Sequence, residues 1–408
     1  MIFTDINDND VSYLLSPKAI RERSQEIYDL SLAGIGEFQI NISRLDEVAD
    51  YVLAVIKNNY PDLNIPFHSR WSHFQVGDID RLKRLDEKLN HLSAYDKARA
   101  KLDLVLVSVL LDAGAGNSWC YFDKHCGQSF SRSEGLAVAS FDMFMSGMFS
   151  SDKSQPLQVD AESLMSFNRQ KLELGFQVSQ NNPLAGLEGR ANLISELGNT
   201  LNHNDDFKDN RPGNIIDFLT INYGEKLEAD TILNSVLVNF GNIWPGRICI
   251  NNINMGDLWA YSKLKSDDPL SCLVPFHKLS QWLTYSLIEP ILEAGISVTG
   301  VEKLTGLAEY RNGGLLLDKQ LIALKDKSNL SKSHLANSDL IIEWRALTIV
   351  LLDKIAENIR DKLIMSEAQL PLAKVLEGGT WWAGRKVAKT LRNTGAPPLK
   401  LNSDGTVF

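Results

Sequence analysis

An almost unbroken apolar stretch near the first third of the chain sets the strongest limit on the fold. Between Ala98 and Leu111 the sequence reads ARAKLDLVLVSVLL, and nearly every residue after Asp103 is apolar. A helix that is apolar on every face is buried among other elements rather than lying at a surface. The stretch therefore predicts a fully buried helix.

Helix signals dominate the rest of the sequence. Ser16 and Pro17 form an N-cap and first-turn pair, and Gly34 is a plausible stop. Ser43 and Asp46 resemble a capping box for the next helix. Further helices are predicted around 134–146, 159–174, 186–201, 230–240, 276–289, 338–363 and 381–392. Strand candidates are few, at 248–250 and 315–317. We therefore predict a mainly α fold with few short strands.

The domain organisation is bounded by length. The chain has 408 residues, enough for one large domain or two to three ordinary ones. We find no repeat and no low-complexity linker, so a single domain over 1–408 is the simplest interpretation. The best loop is the polar, turn-rich stretch 202–213. A division into two lobes, about 1–201 and 214–408, is the alternative.

Composition and charge exclude several classes of protein. Apolar residues make up 44% and charged residues 23%, as in globular proteins, and the net charge of -9 disfavours binding to nucleic acid or anionic membranes. No apolar stretch is long enough for a membrane span, and the N-terminus MIFTDINDND does not resemble a signal peptide. Four cysteines in so long a chain are typical of reduced thiols. We expect a cytoplasmic protein with a small-molecule substrate, without a nucleic-acid or membrane partner.

The best candidate site is the stretch LTGLAEYRNGGLLLD, residues 304–318. It places Glu309, Tyr310 and Arg311 between an apolar lead-in and the pair Gly313-Gly314. Charges in an apolar stretch must be paired or solvated, because burying an isolated charge costs several kcal/mol or more. A double glycine permits close approach of a ligand. The cluster predicts a binding or catalytic site without naming its reaction.

A polar stripe follows Phe276. It consists of His277, Gln281, Thr284 and Tyr285. His277 and Gln281 are four residues apart, so on a helix they share one face. A stripe of hydrogen-bonding groups among apolar residues is typical of a pocket lining, whereas a lone histidine is more often part of a core. Both interpretations stay open.

A second patch, basic and aromatic, lies in IPFHSRWSHF. It contains His68, Arg70 and His73, and suits an anion or a sugar phosphate. An ordinary surface cluster explains the same residues equally well.

Three acidic or aromatic candidates remain. Asp112 and Trp119 flank a glycine-rich stretch that follows the buried helix, and could line a pocket. Glu134 falls in the first turn of a helix that Ser133 would cap, where the helix dipole accounts for a carboxylate as well as catalysis does. Glu343-Trp344-Arg345 lies inside a long apolar helix and predicts a paired structural charge.

The sequence gives little sign of a metal centre. Cys120, His125 and Cys126 are close in sequence, but their spacing is not a usual zinc pattern and no second ligand pair follows. We expect no metal and no organic cofactor.

At this point the sequence resembles the uracil-catabolism family of fungi and bacteria (URC/Urg type), from about residue 18 to the last residue. The motifs that carry the resemblance are IPFHSRWSHF, LLDAGAGNSW, RSEGLAVAS, NPLAGLEGR, HKLSQWLTYSLIEP, LTGLAEYRNGGLLLD, EWRAL and APPLKLNSDGTVF. The resemblance implies a place in the pathway that opens uracil at the ribotide level, beside a GTP-cyclohydrolase-like ring opener and a uracil phosphoribosyltransferase. Contact with these enzymes is a further expectation. The implied reaction is cleavage of a ribosylurea, or of its 5′-phosphate, to urea and a ribose species.

A more distant resemblance supports that reaction. FHKLSQ at 276–281 is similar to the F-x-K-x-x-Q stretch of queuosine-salvage nucleoside glycosidases, and Glu309-Tyr310-Arg311 is similar to their D-Y-R. Those enzymes resemble helical DNA glycosylases and hydrolyse an N-glycosidic bond without metal. Glutamate replaces aspartate at 309, and a glycine-rich run at 111–119 replaces an aromatic one. A smaller, more polar leaving group fits that loss of aromatic residues.

The resemblance and the residues together assign roles. Glu309 is the first candidate to stabilise an oxocarbenium-like transition state, and Asp112 is the second. Arg311 either pairs with Glu309 or holds phosphate. The other predicted substrate-binding residues are Trp119 against the ribose, His277, Lys278 and Gln281 on the leaving group, Arg70 and Arg190 on phosphate, and Tyr310, His68, His73 and Glu134 in the pocket lining.

Two other classes of function stay open. The chain could be a metal-dependent amidohydrolase acting on the ureido carbonyl, although its histidines are scattered. It could also be a non-catalytic partner that binds and channels an unstable intermediate. Hydrolysis and phosphorolysis are not distinguished by the sequence.

Overall fold

Helices make up most of the chain described by the computed structural model, which covers residues 1–112, 114–116 and 118–402. The prediction of a mainly α fold is confirmed. The helices are α1 Asp8–Leu14, α2 Pro17–Leu32, α3 Leu45–Asn59, α4 Arg70–Phe74, α5 Arg81–Lys88, α6 Ala94–Leu110, α7 Arg132–Met145, α8 Ala161–Met165, α9 Arg169–Gly175, α10 Leu187–Asn202, α11 Ile215–Tyr223, α12 Ala229–Phe240, α13 Lys278–Glu293, α14 Tyr310–Asp318, α15 Asp339–Leu363, α16 Leu372–Val375 and α17 Trp381–Leu391. A π-helical turn, Leu376–Thr380, joins α16 to α17.

The strands are short and form small, separate sheets. They are β1 Ile2–Phe3, β2 Phe38–Ile40, β3 Tyr121–Asp123, β4 Gln128–Phe130, β5 Lys226–Glu228, β6 Cys249–Ile250, β7 Ile253–Asn254, β8 Leu258–Ala260, β9 Leu273–Pro275, β10 Ser297–Thr299, β11 Ile322–Leu324, β12 Ser333–Leu335 and β13 Lys400–Asn402. β1, β6 and β7 make a sheet of three strands, with β1 parallel to β6, and the other strands pair in twos. The predicted strand at 248–250 is thus present as β6.

The described chain divides into two compact units. The first contains residues 1–68, 247–281 and 300–402, and the second contains residues 69–246 and 282–299. Each unit is therefore assembled from segments that are distant in sequence. The predicted loop at 202–213 lies inside the second unit, and the number of domains stays a prediction.

Local signals explain where several helices begin and end. Ser16 caps α2 by accepting a hydrogen bond from the backbone N–H of Ala19, with Pro17 in the first turn. α6 is buried from Ala100 to Leu110, as its apolar sequence predicts. Within the described residues, no helix is both long and apolar enough to cross a bilayer.

Other local predictions were wrong. α3 begins at Leu45 with Arg44 at its N-cap and no side-chain cap from any described residue, so Ser43 and Asp46 form no capping box. The helix expected at 159–174 is two short helices, because Asn168 caps a new one, α9. Residues 315–317, a strand candidate, lie in α14.

α15 is the long buried helix of the first unit and packs on α2 and α3. Its Glu343 is fully buried and accepts hydrogen bonds from the hydroxyls of Ser31 and Tyr261 and from the backbone N–H groups of Glu37 and Phe38. Four neutral donors thus replace the cation that the sequence predicts as its partner.

Gly36 provides a test of this carboxylate site. Its φ is +128°, and a Cβ there would lie 2.6 Å from Oε2 of Glu343 and closer still to Oε1. We expect Gly36→Ala to lower the free energy of unfolding by about 2–4 kcal/mol, from backbone strain and overpacking together. Gly34→Ala is the matched control, because Gly34 also has a positive φ but a Cβ added there would meet no described atom within 4 Å. Equal losses in denaturant unfolding would contradict the expected overlap with Glu343.

Candidate functional site in the first unit and its counterpart in the second

A buried segment, residues 304–309, leads into α14 and organises the candidate site of the first unit. All of its residues are buried. The hydroxyl of Thr305 accepts a hydrogen bond from Nε2 of Gln281 at 2.8 Å. The carbonyl of Leu307 accepts one from Nδ2 of Asn312 at 3.1 Å. The segment therefore ties the first turn of α13 to the first turn of α14, and it ends at Glu309.

Glu309 is the N-cap of α14. Its two carboxylate oxygens accept hydrogen bonds from the backbone N–H groups of Arg311 at 2.8 Å and Asn312 at 2.7 Å. The residue is 8% exposed. A helix N-terminus stabilises negative charge, and each oxygen keeps a lone pair beyond the one that the backbone uses. The carboxylate is thus held in one orientation while remaining able to accept further hydrogen bonds.

Gly313 and Gly314 serve helix packing instead of ligand approach. Both lie inside α14, where a Cβ at Gly313 would come within 2.7 Å of the Trp344 indole and 2.9 Å of Oγ1 of Thr348. A Cβ at Gly314 would come within 3.1 Å of Pro398. Gly313 therefore lets α14 lie close to α15, and Gly314 lets it lie close to Pro398.

Arg311 does not form an ion pair with the side chain of Glu309 among the described residues. Its guanidinium lies over the rings of Tyr310 and Trp381, with Cζ 5.3 and 4.9 Å from the ring centroids. Nη2 is buried and has no hydrogen-bond partner in the described part of the chain. Of the two predicted roles, the contact with phosphate therefore stays open as a proposal.

His277 precedes α13 instead of lying on it. Its φ of +46° places it outside the helix that begins at Lys278, so the prediction that His277 and Gln281 share one helix face was wrong. Nε2 of His277 contacts the carbonyl of Leu14 at 2.9 Å, and burial lowers the pKa of the imidazole below its usual value. The contact places a proton on Nε2, because a carbonyl can only accept, and the lowered pKa favours the neutral ring.

Asp257 is the main residue of this region that the sequence did not reveal. It pairs with Arg345 through two hydrogen bonds of 2.7 Å and also accepts the backbone N–H of Lys278 at 3.0 Å. Burial alone would raise the pKa of Asp257, but Arg345 and the hydrogen bonds outweigh it and hold the pKa below its usual value. Arg345 thus pairs with Asp257 and not with its helix neighbour Glu343. Asp257 stands alone between Gly256 and Leu258, so no local pattern marks it.

His68 of the first unit contacts Trp381, one of the two rings against which the Arg311 guanidinium lies. Its Nδ1 is 2.7 Å from a carboxylate oxygen of Glu377 in the π-helical turn, and its ring is 6.2 Å from that of Trp381. Burial, with help from Glu377, raises the pKa of Tyr60 to about 12. His68 is therefore a buried, paired side chain and not part of an exposed patch.

In the second unit, Arg70 and Asp112 come together. Arg70 is fully buried, with Nε 2.7 Å from Oγ of Ser108 and Nη1 3.2 Å from the carbonyl of Ser133. Oδ1 of Asp112 lies 3.2 Å from Nη1 but accepts no hydrogen bond from a described residue, so this contact is an electrostatic one. Burial lowers the pKa of Arg70, against the opposing effect of Asp112. Nη2 of Arg70 is buried without a hydrogen-bond partner in residues 1–112, 114–116 and 118–402.

The other predicted residues of the second unit are buried or lie at helix starts. His73 packs edge-on against Trp282 at 5.8 Å between ring centroids. Trp119 is 1% exposed and donates from Nε1 to the carbonyl of Phe176 at 2.9 Å. Glu134 lies in the first turn of α7, but the N-cap position belongs to Ser131 and not to Ser133.

Arg190 holds a loop in place. Its guanidinium donates to the carbonyls of Leu111, Ala185 and Gly114. Burial lowers the pKa of Arg190 to about 10, partly offset by Asp112. Several donors are thus used on backbone groups, which suits positioning of the stretch after α6. Ala113 and Asn117 of that stretch, and residues 403–408 of the C-terminal motif, lie outside the described residues.

One group of side chains has the composition of a metal site. Ligand atoms of Asp123, His125 and Asp142 lie within 4.8 Å of one another. Asp123 is already paired with Arg81, and Asp142 accepts a hydrogen bond from the Tyr121 hydroxyl at 2.9 Å. Both carboxylates therefore already have a protein partner.

Comparison with known proteins matches nearly the whole chain. The family model described as "Protein of unknown function (DUF1688)" matches residues 13–408. Protein urg3 of Schizosaccharomyces pombe is 38% identical over 408 residues, covering 98% of this chain and 99% of the relative. Uracil catabolism protein 4 of Lachancea kluyveri is 37% identical over 439 residues, with the same coverage of 98% and 99%. The similarity therefore includes both compact units.

Proposed function

This chain belongs to the DUF1688 family, and from this relationship together with the pathway name of a relative we propose that it acts in uracil catabolism. We propose further that it is an N-glycosidase that hydrolyses a ribosylurea, or its 5′-phosphate, to urea and a ribose species. One observation carries the reaction: the buried carboxylate of Glu309, fixed by two backbone N–H groups at the start of α14.

The chemistry of the bond explains why such a carboxylate is suited to the task. Breaking an N-glycosidic bond builds positive charge on the sugar, and a fixed negative group near that charge lowers the barrier. A preoriented group needs no rearrangement when the charge develops. Glu309 is held in that manner, with one lone pair on each oxygen left for a water molecule.

In the proposed step the C1′–N bond breaks, and both electrons go to the ureido nitrogen, which takes up a proton to leave as urea. The oxygen of water bonds to C1′ and gives a proton to Glu309. Lys278 is the candidate donor to the leaving nitrogen, since its backbone is fixed by Asp257, and it regains the proton that Glu309 accepted. Atoms and charges are thus the same at the start and the end of each turnover.

Two arginines are the alternative proposed contacts for a 5′-phosphate. Arg311 in the first unit and Arg70 in the second each keep a buried Nη2 without a hydrogen-bond partner among the described residues. Buried donors of this kind are rarely left unsatisfied in a functional complex. In the second unit Asp112 stays the second candidate carboxylate, and Trp119, His73 and Glu134 stay proposed lining residues. In the first unit, His68 and Tyr310 stay proposed lining residues.

The proposal is tested by incubating purified, chelator-treated protein with ribosylurea and with its 5′-phosphate. We expect urea release without added metal, faster for the 5′-phosphate because Arg311, in the same unit as Glu309, offers it a buried donor. Release of ammonia in place of urea, restored by metal, would support the amidohydrolase. Tight binding without any product would support the channelling partner, and either result would overturn the glycosidase.

A further inference from the structure

The amide of Gln281 has a defined orientation. Gln281 is fully buried, and its Nε2 lies 2.8 Å from the hydroxyl oxygen of Thr305. That hydroxyl donates its own proton to the carbonyl of Gly306 at 3.2 Å, so towards Gln281 it acts as the acceptor. The hydrogen bond thus assigns the amide nitrogen of Gln281 to the side of Thr305. Oε1 is the atom that remains, and it is buried without a hydrogen-bond partner in the described chain.

The amide of Asn312 is fixed by the same argument. Its Nδ2 lies 3.1 Å from the carbonyl of Leu307, which can only accept. Asn312 is also fully buried, and no described residue donates a hydrogen bond to its Oδ1. Its backbone N–H donates to Glu309 at 2.7 Å. Oδ1 of Asn312 is thus a second amide oxygen without a donor among the described residues, on a residue three positions after Glu309.

Both amides are anchored to the same short stretch of chain. Thr305 and Leu307 are two positions apart, so their Cα atoms are separated by at most about 7 Å. Glu309 follows two positions later. The 304–309 segment therefore anchors both amides, each with an oxygen unsatisfied among the described residues, and ends at the carboxylate of the proposed reaction.

We propose that Gln281 and Asn312 form a subsite for a ligand group rich in N–H donors, and that this group is the ureido leaving group. The inference rests on the proposed function for the identity of that group. Its chemistry follows from the two acceptors alone. A ureido group carries N–H donors on both of its nitrogens. A group of the same shape with a methyl in place of the terminal NH₂ has no donor at that position.

The two acceptors make this subsite selective. A buried acceptor left without a donor costs about 1–3 kcal/mol, whereas a ligand N–H that meets it removes the cost. Sites built to hydrogen-bond an N–H reject analogues that lack it far more strongly than apolar pockets reject a missing methylene. Asn312 and Gln281 are therefore specificity-determining residues, distinct in role from Glu309.

N-ribosylacetamide is the decisive probe. It replaces the terminal NH₂ of ribosylurea by a methyl group of similar size and keeps the glycosidic bond. We expect kcat/KM for ribosylurea to exceed that for N-ribosylacetamide by about 10²-fold in the wild-type protein, from two unmet acceptors at about 1–3 kcal/mol each less the partial relief that water provides. A kcat/KM ratio near one would mean that the two amide oxygens do not distinguish the compounds, as expected if water already satisfies them, and would overturn the subsite.

Three variants locate the selectivity. Asn312→Leu and Gln281→Leu replace each amide by an apolar side chain of similar size, and we expect each to reduce the ratio about tenfold. Asn214→Leu is the matched control. Asn214 is a buried amide of the second unit that donates to the carbonyl of Lys208, and its oxygen likewise has no partner within the described residues. An unchanged ratio in both site variants, or an equal drop in the control, would overturn the assignment. If one of the two site variants does not fold, the kcat/KM ratios of the wild-type protein and of the other site variant test the assignment.

A binding measurement separates this inference from the reaction itself. Dissociation constants for the two compounds are measured with Glu309→Gln, which needs no turnover. If ribosylurea binds much more tightly than N-ribosylacetamide but the wild-type protein does not turn it over, the subsite is supported and the glycosidase is wrong. Turnover of both compounds at equal rates would keep the glycosidase and remove the subsite. If neither compound binds, the proposed subsite is wrong.

Discussion

Glu309→Gln is expected to reduce the rate of urea release by at least about 10²- to 10³-fold, the usual effect of removing a preoriented electrostatic group. Glutamine keeps the size of the side chain and one carbonyl oxygen to accept a backbone N–H of α14, but it loses the negative charge. The loss of half the cap should cost no more than about 1 kcal/mol of stability. The measurement is kcat with ribosylurea and its 5′-phosphate, with thermal unfolding in parallel.

Asp160→Asn is the matched control for that substitution. Asp160 is also 8% exposed and also accepts two backbone N–H groups, from Ser163 at 2.9 Å and Ser151 at 2.7 Å. It caps α8 in the second unit. We expect a similar small loss of stability and an unchanged rate. Undiminished turnover in Glu309→Gln, or an equal drop in Asp160→Asn, would contradict the role of Glu309.

Arg345→Met is expected to lower the free energy of unfolding by about 3–5 kcal/mol, because it leaves the charge of Asp257 buried and unpaired. Arg345 is 1% exposed and the Asp257 side chain is 13% exposed. Methionine fills much of the same volume, so the loss reports the charge and not a cavity. Denaturant unfolding at neutral pH is the measurement.

The double variant Asp257→Asn with Arg345→Met is the control. Removing both charges should recover most of the lost stability, since a buried pair is close to neutral in net energy while half of it is costly. Failure of the double variant to recover would show that Arg345 contributes mainly through its contact with Phe276, over whose ring the guanidinium lies at 4.1 Å.

The same ion pair predicts a pH dependence with a definite sign. The pKa of Asp257 is lower in the folded chain than in the unfolded one. Its contribution to stability is therefore fully present above about pH 4, the ordinary range of an aspartate, and is lost as pH falls through the lower folded value. Wild-type stability should fall below about pH 4, and Asp257→Asn should show less of that fall.

The elements that the sequence predicts well are those determined within a few residues. Ser16 and Pro17 start α2 through a hydrogen bond that spans three residues. The second half of α6 is buried because nearly every residue after Asp103 is apolar. The cluster around Glu309 was visible for the same reason, since charged residues in an apolar stretch are a local signal. The two glycines after it were visible too, but their packing, Gly313 against α15 and Gly314 against Pro398, was not.

What the sequence did not predict depends on distant partners. Glu343 and Arg345 are two positions apart, yet their partners are Tyr261 and Asp257, 82 and 88 positions away. His277 leaves the helix because of a positive φ that no residue pattern marks. Asn312 lies in the motif LTGLAEYRNGGLLLD, but its proposed role depends on the hydrogen bond from its Nδ2 to the carbonyl of Leu307, which leaves Oδ1 without a donor among the described residues. These partners and conformations are determined by tertiary packing and not by the helix or strand propensity of the local sequence.

The hydrogen bonds of the 304–309 segment also set an order of events during synthesis of the chain. Arg21 in α2 donates to the carbonyl of Leu304, 283 positions later, and α2 packs on α15, whose residues come later still. At ~5–20 residues per second, α2 waits roughly 15–60 s on the ribosome before that carbonyl exists. During this time Ile20 and Ile27, fully buried in the folded protein, lack the surface that covers them. We therefore expect newly made chains to depend on chaperones until translation passes α15, and truncated chains that end before it to aggregate.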